Sequence, residues 1–178
     1  SVAGKTLIDR ALDSLACGGV EHTVINLHYR ADVLQEHLEK RRAKNFNPRI
    51  KFSDERHTLL DTGGGVANAI QFLETKSFFI ANSDVVRMDY GKHACDLLKE
   101  LWNPDVMDFL LLVHSVDTAV GFLGDGDFNL LKDGRLQRHG KKLQARYVYT
   151  GLCLCGQSHF EGLRGKIFSL NFLWKLAE

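Results

Sequence analysis

Apolar positions along this chain switch between two spacings, and the switches mark out its elements. Leu7, Ile8, Ala11, Leu12 and Leu15 recur at helical intervals, which predicts a helix stopped by Gly18-Gly19. Residues 23–27, Thr-Val-Ile-Asn-Leu, form a compact run that predicts a short buried strand. Helical spacing returns over 32–44, with Val33, Leu34, His37 and Leu38 expected towards the core. Residues 50–52 predict a strand leading into polar 53–57. A third helix is expected to begin within the glycines Gly63, Gly64 and Gly65, and to turn Val66, Ala69, Ile70 and Leu73 inward. A strand over 77–81, a helix over 90–101 and a central strand over 108–113 follow. This alternation favours a parallel sheet covered on both faces.

From 115 to 156 the pattern changes to short β-like runs separated by Gly124, Gly126, Gly134 and Gly140, which predicts an antiparallel excursion. Residues 168–177 close with an apolar helical face. The expected architecture is α/β: a Rossmann-like doubly wound mixed sheet in one domain over residues 1–178.

Composition narrows the partners. The formal net charge is +1, so no strong field draws nucleic acid or an anionic membrane. No apolar stretch reaches membrane-spanning length, and no secretory leader stands out. Cys17, Cys95, Cys153 and Cys155 include no C-x-x-C pair, so reduced thiols in cytoplasm are expected. Cys153 and Cys155 alternate around Leu154 and share one face of a strand.

Two short segments carry the candidate chemistry. In Leu60-Asp61-Thr62-Gly63-Gly64-Gly65, Thr62 is placed to cap a helix, and bare glycine amides at a helix start suit an anionic ligand. A tight loop-to-helix turn is the plainer alternative, and no Gly-Lys-Ser/Thr follows to make a P-loop. In Asn82-Ser83-Asp84, a carboxylate follows an apolar strand, where ligands collect in open sheets; Asn-Ser-Asp is also a common turn. Asn26 and His28 end an earlier strand on what should be the same edge, as substrate contacts or as loop residues. Tyr147, Tyr149, Thr150 and Gly151 suit a sugar site and equally a strand that bends. Arg135, Arg138, Lys141, Lys142 and Arg146 are read as a solvated basic face, and Trp102 and Trp174 as packing residues.

Taken in order, these segments resemble the nucleotide-sugar pyrophosphorylases, or sugar-1-phosphate nucleotidyltransferases, most of all the N-acetylmuramate-1-phosphate uridylyltransferase branch. The carrying stretches are 2–8, 24–29, 53–56, 59–65, 82–84, 126–128, 149–151 and 168–171. The resemblance implies that Thr62, Gly63, Gly64, Gly65 and Asn82 lie against the nucleotide and that Asp84 binds Mg2+. It implies a sugar-phosphate side built from Tyr149, Thr150, Gly151 and Asn171, with Gly126, Asn26 and His28 contributing. The implied reaction has a sugar-1-phosphate oxygen attacking the α-phosphate of a nucleoside triphosphate, with pyrophosphate leaving. Uridine triphosphate with N-acetylmuramate-1-phosphate, or guanosine triphosphate with mannose-1-phosphate, are the implied pairs.

The family's opening strand, its glycine-rich loop with an arginine, and its Pro-Lys segment have no match here, so no catalytic residue is assigned. Lys5 corresponds to a later family lysine. The family's later segment with a second metal-binding aspartate has no match either, so the chain is expected to be truncated at both ends. An absent first strand would leave a gap between strands 23–27 and 77–81, at about 1–3 kcal/mol per buried unpaired group. A longer native chain, a complementing polypeptide or an altered sheet would each meet that cost; the expected partners are a complementing polypeptide or a homo-oligomer. The alternative function is a nucleotide- or sugar-phosphate-binding module without turnover.

Overall fold

The computed structural model describes residues 1–138 and 144–178; Gly140, Lys141 and Lys142 lie outside the described residues. Thr6 caps α1 (Leu7–Cys17) by accepting the Asp9 amide, and the helix buries Ala11, Leu12 and Leu15. β1 (His22–Leu27) and β2 (Arg49–Asp54) pair in parallel, joined through α2 (Ala31–Arg42). Leu38 is fully buried, but Val33 is 65% exposed, which corrects its expected inward position. The buried stripe of α2 runs through Ala31, Leu38 and Arg41. Val33, two residues after Ala31, is turned to the opposite side of the helix. Arg41 ties α2 to α1 through Asp9 (3.2 Å) and Asp13 (2.6 Å), and donates to the Asn47 carbonyl.

α3 (Asp61–Ala69) continues as a 3-10 turn, Ile70–Phe72. It starts at Asp61, ahead of the glycines rather than within them. β3 (Ser77–Ala81) follows, then α4 (Ala94–Leu101), which begins after residue 90 because His93 supplies its cap by accepting the Cys95 amide. β4 (Phe109–Ser115) comes next, then the hairpin of β5 (Phe128–Leu130) and β6 (Leu136–Arg138). β7 (Tyr147–Gly156) and α5 (Leu170–Ala177) complete the fold.

The long strand β7 organises the larger sheet. β3 and β4 both pair with it antiparallel, and β5 joins it at Phe128 opposite Tyr147. The antiparallel excursion is therefore present. The central strand, however, is β7, and among the described residues β4 pairs only with β7, which corrects the central place expected for 108–113. The physical reason lies in burial: Leu152, Cys153, Leu154 and Cys155 are all at most 5% exposed, so β7 is covered on both faces. One face packs on α3 and α5 through Ala67, Ile70, Phe78 and Leu173. The other packs on α4 through Ala94, Cys95 and Leu98, with Leu15 of α1.

The β1–β2 pair is a separate two-stranded sheet, so the expected single parallel sheet is divided. Helices nonetheless cover both faces of a mixed set of strands, as the doubly wound reading required. Cys17 is exposed and the other three cysteines are buried and free; burial pushes the Cys95 thiol up to about 11. Among the described residues no helix is long and apolar enough to cross a membrane.

Candidate functional site

The start of α3 is held from two sides. On one, the Asn26 amide at the end of β1 donates to the carboxylate of Glu55 and, at 2.9 Å, to the Gly65 carbonyl. His28 donates from Nδ1 to the Glu55 carbonyl at 2.7 Å. Asn26 and His28 thus join β1 to the segment after β2 and, through Asn26, to α3. Glu55 is 6% exposed, a buried acid to which sequence reasoning assigned no role. Two signals marked it: its place directly after a strand, and its position within 53–56, one of the stretches that carry the family resemblance.

On the other side, residues 60–64 are stitched to residues 168–170. The Phe168 carbonyl accepts the amides of Gly63 (2.9 Å) and Gly64 (3.0 Å), and the Leu60 carbonyl accepts the Phe168 amide. This corrects the expectation of open glycine amides: those of Gly63 and Gly64 are taken within the chain. The glycines are needed for close approach instead. A Cβ on Gly63 would lie 2.4 Å from the Phe168 ring, and one on Gly64 would lie 2.2 Å from the Lys166 carbonyl oxygen. Thr62 is likewise not the cap of α3, where no side-chain cap is formed. Its hydroxyl accepts the Leu170 amide at 2.9 Å, at the start of α5.

Beside this junction opens a cleft of about 400 Å³. Thr62, Asn82, Tyr149 and Asn171 all line it, so four residues selected from distant parts of the sequence meet in one place. Asp61, Asp127 and Arg138 line it too and were not singled out for it. Arg138 is turned into the cleft rather than spread on a solvated face, a correction to its expected setting. Its guanidinium lies over Phe128 (5.4 Å) and Trp174 (5.8 Å), donates to Asn171 Oδ1 at 2.9 Å, and pairs with Glu178 at 2.9 Å. Asp127 accepts the Tyr149 amide at 2.8 Å. Burial pushes the Tyr149 phenol well up, so its hydroxyl keeps its proton far above neutral pH. Trp174 packs as expected, edge-on to Tyr149 at 5.0 Å.

Of the remaining candidates, Gly151 and Gly126 adjoin lining residues of the cleft, whereas Thr150 and Asp84 do not line it. Gly151 (φ +76°) lets β7 pass Asn82, whose amide donates to the Gly151 carbonyl at 2.7 Å. Gly126 (φ +79°) turns the chain beneath the Ala145 carbonyl just before β5. The Thr150 hydroxyl donates to the Leu112 carbonyl and so belongs to the sheet. Asp84 stands exposed beyond the C-terminal end of β3, with no ion pair among the described residues. Gly151→Ala is expected to cost about 1–3 kcal/mol, since its Cβ would sit 2.8 Å from that of Asn82 in a left-handed backbone. A lowered urea midpoint with unchanged slope would show this.

No family model matches the chain. It is 39% identical over 175 residues to the N-acetylmuramate alpha-1-phosphate uridylyltransferase of Caulobacter vibrioides, covering 98% of this chain and 72% of that protein. Identity to the mannose-1-phosphate guanyltransferase of Schizosaccharomyces pombe is 36% over 84 residues, covering 46% of this chain and 23% of that one. HddC from Yersinia pseudotuberculosis, solved in complex with GMP-PN, superposes with a TM-score of 0.74 at 20% identity, over 96% of this chain and 71% of that one. The structural likeness shows a common fold, and the first likeness spans nearly every segment discussed above. This chain belongs to the sugar-1-phosphate nucleotidyltransferases.

Proposed function

We propose that the chain transfers a nucleoside monophosphate from a nucleoside triphosphate to a sugar-1-phosphate, with uridine triphosphate and N-acetylmuramate-1-phosphate as its pair. The observation that carries this reading is the likeness to the uridylyltransferase over 98% of the chain. In this reading Thr62 and Asn82 meet the nucleotide, while Gly63, Gly64 and Gly65 serve it by seating α3 tightly enough to hold Thr62 in place. Tyr149, Thr150, Gly151, Gly126 and Asn171 form the sugar side, with Asn26 and His28 bracing the start of α3. The mannose pair is the rival, supported by a likeness over 46% of the chain.

Among the described residues no three His, Cys, Asp or Glu side chains gather as a metal site. Mg2+ commonly takes one or two carboxylates together with substrate phosphates, and the exposed, unpaired carboxylate of Asp84 fits that demand. When bound, the ion would neutralise phosphate charge. The chain's own residues orient the partners: hydrogen-bonding groups at Thr62, Asn82 and Asn171 face one cavity, and Arg138 is the cation beside them. The reaction class needs no protein nucleophile. Cytoplasmic location and cell-wall recycling belong to the same proposal.

A binding module without turnover is the second reading, favoured by the engagement of the Gly63 and Gly64 amides with Phe168. Pyrophosphate release separates the two. The expected result is Mg2+-dependent release with uridine triphosphate and N-acetylmuramate-1-phosphate, at least tenfold above mannose-1-phosphate with guanosine triphosphate. Binding of either substrate without release under any pairing would favour the module.

A further inference from the structure

Arg138 enters the cleft with one donor committed and one donor edge unused. Its Nη1 donates to Asn171 Oδ1 at 2.9 Å. Its Nη2 reaches only the Asn171 carbonyl, at 3.5 Å. Its Nε is buried and makes no hydrogen bond among the described residues, although the Glu178 carboxylate stands 2.9 Å away. Closeness without alignment is a contact of charges that leaves the Nε proton unspent. The indole nitrogen of Trp174, a residue 9% exposed, is likewise buried without an acceptor among the described residues. Orphaned donors are rare inside proteins, and two beside one cleft are accounted for when a ligand supplies the acceptors.

The unused edge has a definite shape. Nε and Nη2 form one side of the guanidinium fork, and their parallel N–H groups match the two oxygens of a carboxylate. The rings of Phe128 and Trp174, with the bond to Asn171, hold that fork in one orientation. The other charged residues lining the cleft are Asp61 and Asp127, so among the described residues Arg138 is its one cation. An anionic arm of a ligand is repelled elsewhere in the cleft and attracted here. Glu178 already illustrates the match, as a carboxylate of the chain lying against this edge.

We propose that Arg138 sets specificity on the sugar side: its Nε–Nη2 edge receives the carboxylate of an acidic sugar-1-phosphate in place of Glu178. This rests on the nucleotidyltransferase reading and deepens it. N-acetylmuramate-1-phosphate carries such an arm, the lactyl carboxylate on its ring. Mannose-1-phosphate and N-acetylglucosamine-1-phosphate carry none. N-acetylglucosamine-1-phosphate matches the muramate compound in every other group, so selection between those two comes from the arm alone. No covalent bond changes, and Glu178, at 32% side-chain exposure, has water to turn to.

Calorimetry with N-acetylmuramate-1-phosphate and N-acetylglucosamine-1-phosphate tests this, with Mg2+ and a non-reacting α,β-methylene analogue of uridine triphosphate present. The parent is expected to prefer the muramate compound by about tenfold or more. Arg138→Gln is expected to weaken muramate binding by about 10- to 100-fold and glucosamine binding by about threefold at most. Arg138→Lys keeps the charge without the fork and is expected to restore only part of the loss. Glu178→Gln removes the competing carboxylate and is expected to tighten muramate binding by about threefold or more, with no matching gain for glucosamine. Equal losses for both sugars in Arg138→Gln would overturn the proposal, because they would place Arg138 at the shared phosphate or in the wall alone. A parent without preference would overturn it too. If Arg138→Gln lowers the urea midpoint, Glu178→Gln decides, and no gain for the muramate compound is then the overturning result. A parent that binds neither sugar phosphate would sink the nucleotidyltransferase reading itself, and this assignment with it.

Discussion

Asp84→Ala is expected to lower pyrophosphate release by about 10²–10³-fold while leaving the urea midpoint unchanged. In the proposed reading Asp84 acts by holding a Mg2+ ion that neutralises phosphate charge; alanine cannot hold that ion, and loss of one such electrostatic contact has an effect of that order. The stability half of the expectation comes from the fold. Asp84 is exposed and has no ion pair among the described residues, so its removal should fall within about 0.5 kcal/mol. Measuring rate against Mg2+ concentration sharpens the test, because the variant should need far more metal. Full turnover with an unshifted Mg2+ midpoint would remove Asp84 from the site. Loss of turnover accompanied by unfolding would reassign it to the turn after β3.

Gly64→Ala carries the largest expected effect on stability, about 3–4 kcal/mol. Helix propensity works the other way: alanine in a helix interior is favoured over glycine by about 1 kcal/mol. The steric term wins because the new Cβ would sit 2.2 Å from the Lys166 carbonyl oxygen, and backbone has no rotamer by which to retreat. Overpacking of this kind costs about 1–3 kcal/mol, and the displaced 166–168 segment would also loosen the two hydrogen bonds from Gly63 and Gly64 to Phe168. Urea denaturation measures the loss. Faster exchange of the Gly63 and Gly64 amides would locate it. A variant as stable as the parent would show that the 166–168 segment is not seated on α3.

The contrast between these residues explains how much of the molecule was legible beforehand. The helices over Leu7–Cys17 and Ala31–Arg42, and the strand Ser77–Ala81, follow from local spacing and stand close to where the pattern places them. Val33 failed because its helix buries a narrow stripe, and the edge of such a stripe is decided by the partner surface. α4 starts later than its apolar pattern, since a single cap at His93 outweighs the residues before it. Thr62, Asn82 and Tyr149 were singled out from their local sequence, Asn171 came by resemblance to a family, and the four line one cleft. Asp127 and Arg138 were passed over as site residues because a loop acid and a strand-end arginine look like ordinary surface until the chain folds around them.

By itself the amino-acid order determined the element types, the change from α/β alternation to an antiparallel excursion, and the family. Each rests on short-range periodicity or on ordered motifs, which need no knowledge of distant contacts. Tertiary structure alone decided that β7 is the central strand, that Phe168 occupies the Gly63 and Gly64 amides, and that Arg138 enters the cleft. These are pairings between residues far apart in the chain, and which backbone group finds which partner is settled only when the layers pack.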